Sequence, residues 1–304
     1  MVKLGWQWEK VMYQWLAENL KEYYAFVKVL KKKDFGEVLL YRHNQSGNYI
    51  VVKRLKGRYP AYERLLGVKQ KSLPLIYEVC HNEEETIILE EFIPGITIAE
   101  RLEQETLSES YVREIISQVC DGLYALHLNQ IIHRDIKPDN ILFLKKDDEY
   151  TLYLTDFGTC FLNDGSERLT PETMAVGPRM YIAPEYETGR VEEVTEKGDI
   201  FSLGKVLWCM INGEPEDFMP SNFWFVDEYD LTKRFPGNAD MIVANSIIAS
   251  CLNIAPYERC TYSSLIGQIE NFIAGGNMTP EEEAQYRVRV YQEKRIFLVL
   301  EVLA

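Results

Sequence analysis

The 304-residue sequence lacks the apolar segments that would take it to or through a membrane. No apolar run approaches the roughly 18 to 20 residues that a membrane-spanning helix needs. The longest such runs are residues 201–211 and 296–304. The first ten residues, MVKLGWQWEK, contain no apolar core of a signal peptide. We therefore expect a soluble, cytoplasmic protein without a membrane partner.

The sequence also lacks cysteine pairs, histidine clusters and an excess of basic charge. The six cysteines are scattered without a CxxC pair, and no histidine cluster lies near them, which predicts neither a zinc site nor a disulfide framework. The 33 basic residues are outnumbered by 47 acidic ones, which gives a formal net charge of −14. This charge repels nucleic acid, so we expect no nucleic-acid partner. The negative net charge is explained either by good solubility or by a basic protein partner.

What the sequence does contain is a change of hydrophobic period along its length. Residues 6–20 have apolar side chains at helical spacing, which predicts an amphipathic helix. From about residue 26 to residue 55 the period changes to two, which predicts three antiparallel strands. A short helical stretch at 61–68 follows. Two more strand patterns, LIYEVC and TIILEEF, complete a predicted sheet of five strands with one helix.

After this sheet the composition becomes mostly helical, apart from a strand, turn and strand pattern at 131–158. A chain of this size tends to divide into two lobes. We therefore predict an α+β fold, with a small β lobe at 26–92 and a larger, mostly helical lobe at 93–274. An N-terminal helical extension (1–25) and a C-terminal extension (275–304) flank them.

The C-terminal extension begins with a strong helix start, in which Thr279 is the N-cap and Pro280 the first helical residue. Beyond it, YRVRVYQEKRIFLVLEVLA mixes alternation with a continuous apolar run, which fits a helix or a strand. We expect the apolar end at 296–304 to pack on its own domain. A homodimer formed through the terminal extensions is the alternative.

The most informative stretch is IIHRDIKPDNILFL, residues 131–144, in which two apolar runs flank a polar loop. The loop carries Asp135, Lys137 and Asn140, and sixteen residues after Asn140 comes Asp156 in TDFG. Each motif alone could be a turn or a buried salt bridge. Their joint order is difficult to explain without a shared chemical role.

These residue types suit phosphoryl transfer, whose barrier falls mainly through positioning and neutralisation of charge on the transferred group. Asp135 suits the role of base beside the acceptor hydroxyl. Asn140 and Asp156 offer hard oxygen ligands for Mg²⁺. Lys137, two residues after Asp135, is placed to stabilise charge on the γ-phosphate.

In this order the motifs resemble the protein kinase superfamily, of the eukaryotic-like serine/threonine type, over about residues 26–274. The resemblance implies a bilobal kinase fold that binds ATP between its lobes with Mg²⁺, or with Mn²⁺ as an alternative. It also implies transfer of the γ-phosphoryl group to serine or threonine hydroxyls of a protein substrate, including autophosphorylation of the activation segment.

The resemblance further implies a set of nucleotide-binding residues. Lys53 in YIVVK would contact the α- and β-phosphates, and Glu63 in AYERLL would be its helix partner. The adenine base would lie between apolar side chains and bond to the backbone that joins the lobes. The residues implied are Leu30, Val38, Val51 and Leu142 for the apolar contacts, and Glu91 and Ile93 for the backbone bonds.

Supporting residues are implied in the same way. Glu185 in YIAPE would pair with Arg259 in APYERC, and Asp199 would hold the catalytic loop through its backbone. Arg134, just before Asp135, would bind a phosphorylated residue of the activation segment. The candidate acceptors are Thr173 and, as alternatives, Thr170 and Ser166. A segment that is ordered without any phosphate is the other explanation.

The sequence departs from the family at the glycine-rich loop. In VLKKKDFGEVLL, residues 29–40, Lys31 and Lys33 stand where the first two glycines are expected, and only Gly36 remains. Losing a glycine that needs positive φ costs about 1 kcal/mol. An ammonium about 4 Å from a phosphate oxygen gains up to about 4 kcal/mol at an effective dielectric of 20. The lysines therefore either crowd the phosphates or replace backbone contacts with charge.

Three further departures are smaller. Pro178 stands where such kinases usually carry a threonine, and Val51 where they often carry alanine. Glu63 follows Lys53 by only ten residues, and Gly67 is expected to end its helix early. A helix of two turns is marginal on its own, so we expect the Lys53–Glu63 pair to form in only one state.

Two alternatives to a protein kinase remain at this point. The degraded loop and short helix would suit a pseudokinase, a scaffold or binding module with little or no phosphotransfer, but the intact Lys53, Asp135, Asn140 and Asp156 count against it. A small-molecule kinase would use the same catalytic residues. The full activation segment, which ends at residues 183–185, favours a protein substrate instead.

Overall fold

The computed structural model describes residues 14, 16, 18–104, 109–146, 149–163, 180–187, 194–213, 227 and 229–273. Within these ranges, an antiparallel five-stranded sheet with one short helix is followed by a larger, mostly helical part. The predicted α+β, bilobal fold is confirmed.

The small-lobe sheet has the strand order β1-β2-β3-β5-β4. Its central strands are rich in β-branched residues, which suit a pleated surface that is covered on both faces. The strands are β1 (Tyr24–Lys33), β2 (Gly36–His43), β3 (Tyr49–Lys56), β4 (Ile76–His81) and β5 (Glu85–Glu91).

The sheet separates two apolar cores because successive side chains of a strand point to opposite faces. On the outer face, Val52, Ile87 and Leu89 pack with Leu16. Of the predicted N-terminal helix, residues 14, 16 and 18–20 are described and helical, and the helix continues to residue 23. On the inner face, Ile88 joins the main core that extends into the large lobe. The inner face is therefore the one that can form a site between the lobes.

One short helix, α1 (Pro60–Leu65), follows β3 and is shorter than the predicted 61–68. Proline at its first position is compatible with the helix because that amide needs no helical partner. Gly67, with φ of 71°, takes the left-handed conformation beyond its end. Burial of Tyr62 and Leu65 holds this short helix on the sheet.

The large lobe contains the remaining described elements. The helices are α2 (Ile98–Gln104), α3 (Glu109–Leu128), α4 (Pro184–Glu187), α5 (Glu196–Asn212), α6 (Leu231–Arg234), α7 (Asp240–Cys251) and α8 (Tyr262–Ile273). The strands are β6 (Ile96–Thr97), β7 (Ile131–Ile132), β8 (Ile141–Lys146), β9 (Glu149–Leu154) and β10 (Phe161–Leu162).

Helix α5 lies at the centre of this lobe, and every residue from 198 to 210 is buried. Thr195 caps its N-terminus by accepting a hydrogen bond from the Lys197 amide, and Gly213 ends it with φ of 82°. No helix within the described ranges has both the length and the apolar character needed to span a membrane. The C-terminal extension at 275–304 lies outside the described residues.

Candidate functional site

The predicted catalytic loop, residues 133–140, leaves β7 and reaches β8 through a single 3-10 turn at Pro138–Asn140. Lys137 Nζ donates to both carboxylate oxygens of Asp135, at 2.9 and 2.8 Å. Asn140 Nδ2 donates to the Asp135 carbonyl and to its Oδ2, both at 2.8 Å. The structure therefore brings together the three residues that the sequence singled out in this loop, and it fixes the Asp135 side chain from two directions.

A buried carboxylate of α5 anchors the backbone of this loop. Asp199, which has no exposed surface, accepts the backbone amide of His133 at Oδ2 and that of Arg134 at Oδ1, both at 2.9 Å. The predicted backbone contact of Asp199 is confirmed. Arg134 has φ of 68°, a left-handed conformation that is costly for a side chain with a Cβ. These two bonds hold the backbone in that conformation.

His133 links the loop to the strand that precedes Asp156. Its Nε2 lies 3.0 Å from the Thr155 carbonyl, and its Nδ1 accepts the Asp135 amide at 3.3 Å. The ring must therefore be neutral with its proton on Nε2, since a carbonyl can only accept. Burial lowers the pKa of His133, although nearby carboxylates such as Asp199 act in the opposite direction.

Asp156 also has left-handed backbone, with φ of 67°, and its carboxylate is about one-third exposed. Asn140 uses its amide nitrogen for both bonds to Asp135, so its amide oxygen is the atom suited to a metal. Among the described residues there is no group of three or more His, Cys, Asp or Glu suited to a metal. Asn140 and Asp156 therefore fit a divalent ion that takes its other ligands from phosphate and water.

The predicted Lys53–Glu63 pair, expected in only one state, is not formed in this structure. Lys53 Nζ lies 2.7 Å from Glu90 Oε2 and donates to the Tyr62 hydroxyl at 3.0 Å. Glu63 instead accepts both guanidinium bonds of Arg58, at 2.9 Å. The physical reason is that α1 begins only at Pro60. Tyr62 therefore takes the position of the first turn that faces Lys53, and Glu63, one residue later, lies on a different side of the helix.

Lys53, Glu90 and Tyr62 are all buried, so the charges of Lys53 and Glu90 interact in an environment of low polarity. Burial by itself would lower the pKa of Lys53, but the neighbouring groups, with the Glu90 charge and hydrogen bond foremost, together outweigh burial and the pKa is raised. Burial raises the pKa of Glu90, and the Lys53 ammonium opposes that shift. The short N–O distance and the raised pKa of Lys53 are consistent with a charged lysine in this pair.

Aromatic contacts connect this ion pair to the catalytic loop. The Lys53 ammonium lies 5.1 Å from the Tyr62 ring centroid. The Tyr62 ring packs edge-on against Phe157 at 5.6 Å, and Phe157 packs against His133 at 5.8 Å. Phe157 directly follows Asp156, so the position of the metal-binding candidate is tied to the small lobe through these rings.

The lysine-rich segment forms the end of the β1–β2 hairpin. Strand pairing continues to Lys33 opposite Gly36, and Lys31 lies opposite Val38. Lys31 Nζ lies 4.0 Å from Asp156 Oδ2, so its charge is directed into the cleft. Lys56 holds the tip of the hairpin through its backbone amide to the Phe35 carbonyl, at 2.8 Å, and its ammonium to the Asp34 carbonyl, at 2.9 Å. The side chain of Lys33 lies outside what the structure describes.

Gly36 has a role in this hairpin that does not involve phosphate. A Cβ at this position would collide with the Arg54 carbonyl of the neighbouring strand. The one glycine that remains is therefore needed for close approach of β2 to β3.

The candidate adenine contacts fall into two groups. Val38 pairs with Lys53 and Val51 is two residues before Lys53, so both valines lie on the inner face with it. Leu30 lies in a β-bulge and is 40% exposed. Leu142 is half-buried on β8 of the large lobe. These four assignments stay predictions.

The predicted backbone contacts lie at the end of β5. Glu91 is its last residue, and its amide donates to the Leu75 carbonyl at 2.8 Å. Its carboxylate accepts the Leu75 amide at 3.1 Å, which fixes the chain where it leaves the sheet. Ile93, two residues later, is buried. Their bonds to adenine stay a prediction.

The predicted pair at the end of the activation segment is confirmed. Arg259 donates from Nη1 and Nη2 to the two oxygens of Glu185, at 2.5 and 2.9 Å, and both side chains are buried. Arg134 lies 6.0 Å from the Tyr186 ring centroid. The phosphorylation candidates Ser166, Thr170 and Thr173, and the departure at Pro178, lie outside the described residues.

Sequence reasoning missed two residues of this site, Glu90 and Tyr62. Two adjacent glutamates at the end of a strand do not indicate which one is buried. The signal that could have identified Glu90 is the alternation of side chains along β5. Ile88 and Glu90 lie on the inner face, and Ile87 and Leu89 lie on the outer face.

Comparisons with known proteins agree with this geometry. The protein kinase domain family matches residues 24–269, which confirms the resemblance inferred from the sequence. The calcium and calcium/calmodulin-dependent serine/threonine-protein kinase of Lilium longiflorum is 33% identical over 172 residues, 54% of this chain and 31% of the relative. Calcium-dependent protein kinase 4 of Plasmodium falciparum is 27% identical over 226 residues, 70% of this chain and 40% of the relative.

A third relative, serine/threonine-protein kinase shk1/pak1 of Schizosaccharomyces pombe, is 39% identical over 125 residues, 41% of this chain and 18% of the relative. The chain spans less than half the length of these three relatives.

Proposed function

Because this chain belongs to the protein kinase family, we propose that it is an ATP-dependent kinase that phosphorylates serine or threonine hydroxyls of proteins. Its own activation segment would be one of the substrates. The observation that carries the proposal is the arrangement around Asp135, whose carboxylate is held by Lys137 and Asn140 at 2.8 to 2.9 Å in a loop anchored on Asp199.

Asp135 would orient the acceptor hydroxyl and take its proton as the oxygen attacks the γ-phosphorus. Lys137 keeps the Asp135 carboxylate in place and brings a positive charge to the same point. As the bond between the γ-phosphorus and the bridging oxygen of ADP breaks, that charge would stabilise the oxygens of the transferred group. The hydrogen bonds that hold this loop support the proposal because phosphoryl transfer depends mainly on positioning.

Lys53 would hold the α- and β-phosphates of ATP from the small lobe, which suits its raised pKa and its place on the inner face of the sheet. We propose Mg²⁺ as the divalent ion, held by Asn140 and Asp156, and when bound it would neutralise charge on the β- and γ-phosphates. Octahedral Mg²⁺ commonly uses one or two protein oxygens together with phosphate and water, which matches this small donor set.

The experiment is transfer of labelled γ-phosphate from Mg-ATP to the protein itself and to a generic basic protein. Wild type is compared with Asp135→Asn, while calorimetry measures ATP binding to both. We expect label on serine or threonine in the wild type and a loss of at least 100-fold in Asp135→Asn, within the range for a general base. ATP binding without any label on either protein would overturn the proposal in favour of a binding scaffold or a small-molecule kinase.

A further inference from the structure

Glu90 occupies an unusual place for a carboxylate, on the inner face of the small-lobe sheet. It lies opposite Val51 on the neighbouring strand, and only 4% of its surface is exposed. A carboxylate in such a place is costly unless it is paired and hydrogen-bonded. Its partner is Lys53, at 2.7 Å.

The geometry points to Glu90 as the residue that positions Lys53 for the nucleotide phosphates, the role expected of a carboxylate on α1. This inference rests on the proposed function, because it concerns the lysine of the same nucleotide site. Glu90 is a positioning residue and would act on the phosphates only through Lys53.

The positions of the two strands support this assignment. Lys53 pairs with Ile88 and Val51 pairs with Glu90, so Lys53 and Glu90 are diagonal neighbours on one face of adjacent strands. The ion pair is therefore formed as soon as β3 and β5 pair. A lysine held in this way does not depend on where a separate helix lies.

The surroundings of Glu63 exclude it from this role in the described conformation. Besides its two bonds with Arg58, its Oε1 lies 3.6 Å from His81 Nδ1 on β4. Glu63 thus ties α1 to the sheet edge, while Tyr62 of the same helix faces Lys53. The helix contributes a hydroxyl to the lysine, and the sheet contributes the charge.

The test uses Glu90→Gln and Glu90→Leu, each alone and combined with Lys53→Met. Glu85→Gln is the matched control, because Glu85 also pairs across β3 and β5, with Arg54 at 2.8 Å, but on the exposed surface. Calorimetric Mg-ATP affinity and kcat/KM for ATP are measured for each variant, with a melting curve to establish folding.

We expect both Glu90 variants to lower Mg-ATP affinity and kcat/KM at least tenfold, with Glu85→Gln within twofold of wild type. In the Lys53→Met background, replacing Glu90 should cause no further loss, because its effect passes through the lysine. If Glu90 had a merely structural role, the double variant would lose more Mg-ATP affinity and kcat/KM than Lys53→Met alone. That result would overturn the inference.

A Glu63→Gln variant supplies the opposing outcome. If it loses activity as severely as Lys53→Met while Glu90→Gln behaves as wild type, the helix carboxylate positions the lysine and our inference is wrong. ATP affinity separates this inference from the proposed function, because it can be measured even in a protein that transfers no phosphate. A folded Glu90→Leu with wild-type affinity would overturn the inference alone.

Discussion

Lys31 and Asp156 face each other across the cleft, with Nζ and Oδ2 4.0 Å apart. A lysine that stands where the family has a glycine therefore reaches the carboxylate proposed to bind the metal. This position favours the interpretation in which charge replaces some of the missing backbone contacts to phosphate.

We predict that Lys31→Ala raises KM for ATP about tenfold, equivalent to about 1.4 kcal/mol. This is below the ceiling of about 4 kcal/mol for a close pair at an effective dielectric of 20, because the loop is exposed and screened. Steady-state kinetics at low and high salt measure the effect, which should shrink as salt rises. Lys32→Ala is the control, since Lys32 lines an outer cleft with Arg54 and Lys56. A lower KM in Lys31→Ala would instead indicate that the lysine crowds the phosphates.

The buried pair of Arg259 and Glu185 should be important for stability. Arg259→Met leaves the Glu185 carboxylate buried without its partner, so we expect a loss of about 3 to 5 kcal/mol in the free energy of unfolding. Urea unfolding followed by circular dichroism measures it. The matched change Arg58→Met removes a pair that is about one-third exposed on both sides and should cost less than about 1 kcal/mol. Equal losses in the two variants would contradict the prediction.

Asp199→Asn should reduce kcat and leave ATP affinity nearly unchanged. An asparagine keeps one acceptor oxygen, so its amide nitrogen would face one of the two backbone amides of His133 and Arg134 as a second donor. We expect kcat to fall about 10- to 100-fold, because leaving a buried hydrogen-bond donor without its acceptor costs about 1 to 3 kcal/mol. Asp230→Asn, which changes a similar backbone acceptor at the start of α6, is the control for kcat. A comparable fall in both would indicate general destabilisation.

Cys260 should be the most reactive thiol among the described cysteines at neutral pH. Its Sγ lies 3.6 Å from that of Cys251, and the hydrogen bond from Cys251 lowers the pKa of Cys260 to about 7. Burial raises the pKa of Cys80 to about 11. We expect the rate of iodoacetamide labelling at Cys260 to reach half its maximum near pH 7, as followed by peptide mass spectrometry.

Cys251→Ala removes the hydrogen-bond donor to the Cys260 thiolate. The labelling midpoint should then move to higher pH, because burial raises the pKa of Cys260 and the hydrogen bond that opposes this increase would be lost. A midpoint that stays near pH 7 would show that Cys251 is not the cause.

The contrast between Asp135 and Lys53 explains what the sequence could predict. Asp135, Lys137 and Asn140 lie within six residues, so their contacts follow from one local turn. The pairing of Glu185 with Arg259 was also predicted, because a kinase resemblance supplies long-range contacts. The Lys53–Glu90 pair of the structure was not predicted, because it depends on where α1 begins and on the register of β3 with β5, neither of which a local pattern fixes.

The tip of the β1–β2 hairpin is only two residues long, and Lys56 ties both of their carbonyls to the end of β3. A cover built in this way has little freedom to lift by itself. We therefore expect nucleotide to enter and leave when the two lobes move apart as whole bodies. The rate of nucleotide exchange would then be set by the segment after β5 that joins the lobes. It would depend on solvent viscosity and on contacts between the lobes.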